Sequence, residues 1–139
     1  NSALGISQLK KLNFFLRHRK NVYDYYKSKL NLYRNIITFP NYDIKNHPSY
    51  HLVLINIDFN KIKKNKNSFL KYLNSKNIMC QFHYIPIYKF SLYRNKNINL
   101  KGSEEYFKNS VSIPIFHTLD LQKQDKVIRL IKNFFNNKK

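Results

Sequence analysis

Apolar residues recur at three- and four-residue steps from Leu4 to Leu30, with Leu9, Leu12, Leu16, Val22, Tyr23 and Tyr26 on one stripe and Lys10, Lys11, Arg17, Lys20 and Lys27 largely outside it. That is the pattern of an amphipathic α-helix. At 1.5 Å per residue such a helix runs about 35 to 40 Å, more than a small domain needs. The stripe therefore predicts a connecting helix: residues 1–34 link to a second body, and residues 35–139 form one small domain. The opening Asn1-Ser2-Ala3-Leu4-Gly5 enters the pattern directly and without an initiator Met, as if the chain were cut inside an element.

After the stripe, Pro40, Asn41, Asn46, Pro48 and Ser49 predict an irregular connection over residues 35–50. His51-Leu-Val-Leu-Ile-Asn-Ile-Asp58 is rich in β-branched and apolar residues and predicts a central strand. Ile62 to Leu73 predicts a short basic helix with Phe69, Leu70 and Leu73 inward, and Ile78 to His83 a second strand. Tyr84 to Tyr88 is a rigid extended exit, because Pro86 fixes φ and removes a donor. Lys89 to Lys101 reads as a loop. Ser103, followed by Glu104 and Glu105, predicts a capped helix over residues 103–110. Val111 to Ile115 is a brief extended piece, and Asp120 or Thr118 caps a last helix through Phe135. The order predicts a small α/β domain: a sheet of about three strands covered on one side by helices.

The formal charge of +19 raises the question of nucleic acid or an anionic surface. Lys outnumbers Arg by about four to one, whereas bidentate phosphate and guanine recognition favours Arg. Abundant Asn, Ile, Tyr and Phe with only 2 Gly is what an AT-biased coding sequence produces whatever its function. The charge is read as a solvated surface, and a small basic nucleic-acid or anionic-surface binding domain stands as the alternative. The single cysteine, Cys80, excludes an internal disulfide and fits a reducing compartment. No apolar run approaches the ~18 residues of a membrane span and no signal-peptide pattern opens the chain, so a cytoplasmic protein without membrane partners is expected.

Chemistry-bearing residues are few. The 7 acidic residues are scattered, and the adjacent Glu104-Glu105 pair points about 100° apart on a helix. The five histidines lack metal-ligand spacing. No catalytic or metal-binding residue is assigned. With glycine only at Gly5 and Gly102, no glycine-rich phosphate loop exists. His83 stands out, because it sits where a strand emerges beside Tyr84, Pro86 and Tyr88, and strand exits are common places for ligand contacts.

Three segments, in order, resemble the final third of the DegT/DnrJ/EryC1/StrS family of pyridoxal-phosphate sugar aminotransferases. They are Ser2-Ala-Leu-Gly-Ile-Ser-Gln-Leu-Lys-Lys-Leu12 with Arg19 and Tyr23/Tyr25-Tyr26; His51-Leu52, then Gln81-Phe-His-Tyr-Ile-Pro-Ile-Tyr88; and Glu104-x-Tyr106, Ser112-Ile-Pro-Ile115 and Thr118-Leu-Asp-x-Gln122 before Val127-Ile128. The His83-to-Tyr88 version is especially similar to enzymes that aminate a UDP-linked 4-keto-6-deoxy-N-acetylhexosamine on the route to pseudaminic acid. The resemblance implies the small carboxy-terminal domain of a fold-type I enzyme, normally a dimer. Such enzymes move an amino group from glutamate to a nucleotide-linked keto sugar through a lysine-bound pyridoxal phosphate. It also implies that the cofactor lysine belongs to a large domain upstream of Asn1, that no residue of this chain binds the cofactor, and that His83, Tyr84 and Tyr88 lie on the substrate side. Lys66-Asn67-Ser68 stands where the family commonly has an Arg, and Lys89-Phe90 departs from the small or proline-containing sequence usual after the motif.

Overall fold

The computed structural model describes residues 2–46, 48–93, 98 and 100–137. The amino-terminal stripe folds as two helices where one was expected: α1, Ser2–Leu9, and α2, Leu12–Leu30, separated by a turn at Lys10 and Lys11. Burial explains the break. Val22, Tyr23, Tyr26 and Leu30 of α2 are buried, whereas α1 buries nothing. Leu4, Ile6, Leu9, Leu12 and Phe14 remain exposed. A short helix draws most of its stability from packing, so without it nothing holds α1 in line with α2.

The sheet has three strands in the order β1-β2-β3: β1 is Ile37–Thr38, β2 Val53–Ile57 and β3 Ser110–Ile113. Both pairings are antiparallel, with Ile37 opposite Ile57, Val53 opposite Ile113 and Ile55 opposite Val111. Since side chains alternate along a strand, these six residues share one face, and all are buried. The intervening pairs, Leu54 with Ser112 and Asn56 with Ser110, occupy the other face.

The central strand lies where the sequence puts it, and the count of three holds, but the membership differs. The strand expected over Ile78–His83 does not form; only Gln81 pairs, exchanging backbone hydrogen bonds of 3.1 and 2.8 Å with Ser112. The third strand is β1, inside the stretch expected to be irregular. Two residues between turns carry no period for a reader to detect.

Three further helices complete the chain: α3, Lys66–Asn74; α4, Lys101–Asn109; and α5, Leu121–Asn136. α3 starts later than expected because the Asn65 side chain accepts from the Ser68 amide at 2.8 Å and sets the first turn there. Asp120 caps α5, accepting from the Lys123 amide at 2.8 Å. Ser103 does not cap α4, which begins before it, and Glu104 is engaged by other side chains. A 3-10 turn at Ile87–Lys89 ends the expected extended exit early, because the Lys89 amide turns back to the Pro86 carbonyl, and a second at Ser91–Tyr93 lies in the expected loop, whose residues 94–97 and 99 lie outside the described residues. The same holds for residues 138 and 139 of the tail. Among the described residues, no helix is long and apolar enough to cross a membrane.

Helices α2, α3 and α5 pack over the apolar face of the sheet, with Tyr26, Phe59, Phe69 and Ile131 at the centre. Of the aromatics the sequence interleaves with lysine, Tyr23, Tyr26, Phe59, Phe69, Tyr88 and Phe134 are buried, while Phe14, Tyr42, Phe82, Tyr84, Phe90, Tyr93, Tyr106 and Phe116 stay exposed. Phe69 has no exposed surface, and its ring centroid lies 5.9 Å from that of Phe59, tilted, and 5.1 Å from that of Phe134, edge-on. Phe69→Ala is expected to lower the unfolding free energy by about 3–5 kcal/mol, measured by urea denaturation. A loss below about 1 kcal/mol would mean that this ring does not organise the core.

Candidate functional site

The segment after α3 runs beside β3 and places one histidine against that strand. His83 Nε2 lies 2.9 Å from Ser112 Oγ, and the Ser112 hydroxyl donates to the Gln81 carbonyl at 3.3 Å. With the hydroxyl donating to Gln81, the ring Nε2–H donates to Oγ and Nδ1 is left as an acceptor. Nδ1 is buried and has no partner among the described residues. Ser112 can play this part because it is the polar member of Val111-Ser112-Ile113, turned by the register away from the core. The Gln81 bridge brings both partners into range.

His83 opens onto a cleft of about 810 Å³ between this segment, the end of β3 and the first turns of α5. Its polar lining includes His51, Tyr84, Lys123 and Lys126; Ile78, Ile113, Leu119 and Val127 are among its apolar walls, and no Asp or Glu lines it. The Tyr84 ring is 73% exposed and meets the His83 ring edge-on at 4.7 Å between centroids. The free acceptor nitrogen of this fixed imidazole can take a hydroxyl donor, and the uncovered aromatic ring beside it can cover an apolar sugar face.

The three residues singled out in the sequence separate here. His83 and Tyr84 line the cleft. Tyr88 does not; it is buried, and its hydroxyl donates to Glu104 Oε1 at 2.7 Å, while Lys89 Nζ lies 2.5 Å from Oε2 of the same carboxylate. Sequence reasoning missed Ser112, Lys123 and Lys126 as neighbours of His83. The alternation of β3 was a signal for the first; nothing local in the sequence marks the lysines. Burial pushes the Cys80 thiol up to about 12, away from the thiolate form a nucleophile uses. Among the described residues no group of metal-ligating side chains forms.

A three-stranded antiparallel sheet under three helices, joined to a partly uncovered helical arm and flanked by a histidine-lined cleft, is the small-domain architecture of a fold-type I transferase. The pattern of the DegT/DnrJ/EryC1/StrS aminotransferase family matches residues 1–132, and the chain belongs to that family. It is 30% identical over 124 residues to the UDP-4-amino-4,6-dideoxy-N-acetyl-beta-L-altrosamine transaminase of Campylobacter jejuni, covering 86% of this chain and 32% of that protein. It is 31% identical to the Helicobacter pylori protein of the same name, covering 96% of this chain and 36% of the relative. Among solved structures, Helicobacter pylori PseC, an aminotransferase of pseudaminic acid biosynthesis, superposes with a TM-score of 0.82 at 26% identity, over 96% of this chain and 36% of its own. The PLP form of Spr1654 from Streptococcus pneumoniae shares the fold, with a TM-score of 0.79 at 22% identity, over 95% of this chain and 34% of its own. The chain thus spans about a third of the length of the relatives it matches.

The family is pyridoxal-phosphate-dependent, and the residues described here do not make a site for that cofactor by themselves. No carboxylate lines the cleft to meet a pyridine nitrogen. Lys66, which burial holds below its ordinary value, lies outside the cleft with its Nζ on the Phe107 carbonyl.

The Glu104 carboxyl is held below its ordinary value of 4.5 by the hydrogen bonds from Lys89 and Tyr88. A depressed folded-state value stabilises the native state above the ordinary glutamate range, and that stability is lost as the pH falls through the depressed value. The stability gap between the wild type and Glu104→Gln should therefore shrink as urea titrations move from about pH 7 to about pH 3. An equal gap at both would show that the clamp does not depend on the charge.

Proposed function

We propose that this chain is the substrate-side, carboxy-terminal part of a pyridoxal-phosphate aminotransferase that moves an amino group from glutamate onto a nucleotide-linked 4-keto-6-deoxy sugar, for nonulosonic acid or surface-polysaccharide synthesis. The observation that supports it is the His83–Tyr84 pair, fixed through Ser112 at the mouth of a cleft free of carboxylates, in a chain similar to transaminases of UDP-linked amino sugars.

In this reading the chain binds and orients; it does no bond-making chemistry. Bound pyridoxal phosphate supplies the electron sink, held with its lysine by the two thirds of the relatives' length that lie outside this chain. His83 presents a ring of set orientation, with Nδ1 as acceptor, to the sugar hydroxyls. Tyr84 covers the sugar and excludes water. Tyr88, clamped to Glu104, holds the segment after Pro86 against α4, so that the exit of the His-Tyr pair is fixed at both ends. The working enzyme is a dimer.

The test joins the chain to the amino-terminal two thirds of the Campylobacter jejuni relative and measures turnover of a UDP-linked 4-keto-6-deoxy-N-acetylhexosamine with glutamate. His83→Ala is expected to raise KM for the sugar nucleotide about fivefold, the cost of one neutral hydrogen bond from a sugar hydroxyl, with a smaller change in kcat. Unchanged KM and kcat would remove His83 from the substrate side.

A further inference from the structure

We infer that the cleft takes the phosphate-bearing end of its ligand on Lys126, assisted by Lys123 and His51, so that a diphosphate lies along the first turns of α5 while His83 and Tyr84 meet the rest of the molecule. This rests on the function proposed above and assigns the ligand's direction within the same cleft.

The cleft gathers His51, His83, Lys123 and Lys126 on a lining that has no carboxylate and is otherwise largely apolar. In a chain of charge +19 some lysines line any depression; this one sets two of them beside two histidines and a wall of apolar side chains, with no acidic residue in the lining itself. The two lysines differ. Lys123 Nζ is 2.7 Å from Asp120 Oδ2 and comes to the cleft half-neutralised. Lys126 takes part in none of the four ion pairs among the described residues, so its charge is available to an anion.

The helix that carries both lysines is locked in rotation. Val127, Ile128 and Ile131 are buried, and Gln124, 2% exposed, donates its side-chain amide to the Val22 carbonyl at 3.1 Å. Residues three apart on a helix share a side, which keeps Lys123 and Lys126 together at the cleft. No glycine-rich turn lines the cleft, and the lysine side chains are the donors assigned here to the diphosphate.

The experiment titrates the 139-residue chain with inorganic pyrophosphate, UDP and uridine by NMR at about 0.15 M salt, where long-range attraction is screened. Pyrophosphate and UDP are expected to shift the signals of Lys123, Lys126 and His51, and uridine to leave them in place. Lys126→Gln should weaken pyrophosphate about tenfold, Lys126→Arg should retain it, and Lys45→Gln, an exposed lysine outside the cleft, should change nothing. Equal weakening by Lys45→Gln and Lys126→Gln would overturn the inference in favour of diffuse attraction, as would pyrophosphate that moves no cleft signal. If UDP shifts His83 and Tyr84 and Lys126→Gln binds it unchanged, this inference fails and the proposed function stands. If UDP moves nothing and His83→Ala leaves KM unchanged, both fail.

Discussion

The alternation of β2 sets the rest of the molecule. Val53, Ile55 and Ile57 have no exposed surface, and each faces a buried partner on a neighbouring strand. Because the side-chain period is two, a slip of one residue would turn every one of them to the other face. The same register that drives these side chains under the helices puts Ser112 on the reverse face, where it meets His83. The candidate site thus follows from core packing: Ser112, polar and on the reverse face, is the residue that orients His83.

That dependence explains what could be read from the sequence. Long periodic segments were legible: α2 and α5 follow their apolar stripes, Asp120 caps where a cap was expected, and β2 lies inside its run of branched residues. Boundaries and short pieces were not. α1 separates from α2 because its apolar residues find no cover among the described residues, which periodicity cannot foretell. The Ile78–His83 stretch has a strand's composition, yet only Gln81 meets a strand edge. At the cleft, His83 and Tyr84 stood out by position in the chain, whereas the α5 lysines reach it only through the packing of α5 on the core.

The lysines also divide by use. Lys64 donates to the Phe134 and Asn137 carbonyls, with its Nζ 4.4 Å from the Phe134 ring centroid, and Lys66 does the same for the Phe107 carbonyl and ring at 4.0 Å. Each closes the carboxy-terminal end of a helix, where free carbonyls and the negative end of the helix dipole favour a cation. Part of the excess positive charge is therefore structural: it ties α3's approach to the ends of α4 and α5. Lys66 Nζ also lies 5.0 Å from the Phe82 ring centroid.

The brevity of β1 has a consequence for how safely this chain can be made. A sequence this rich in isoleucine, tyrosine and phenylalanine would aggregate readily if its sheet offered a long open edge. One edge is a strand of only two residues, Ile37 and Thr38, and the other is capped at Ser112 by the single Gln81 bridge. Neither offers a row of free amides and carbonyls long enough to recruit another molecule strand by strand.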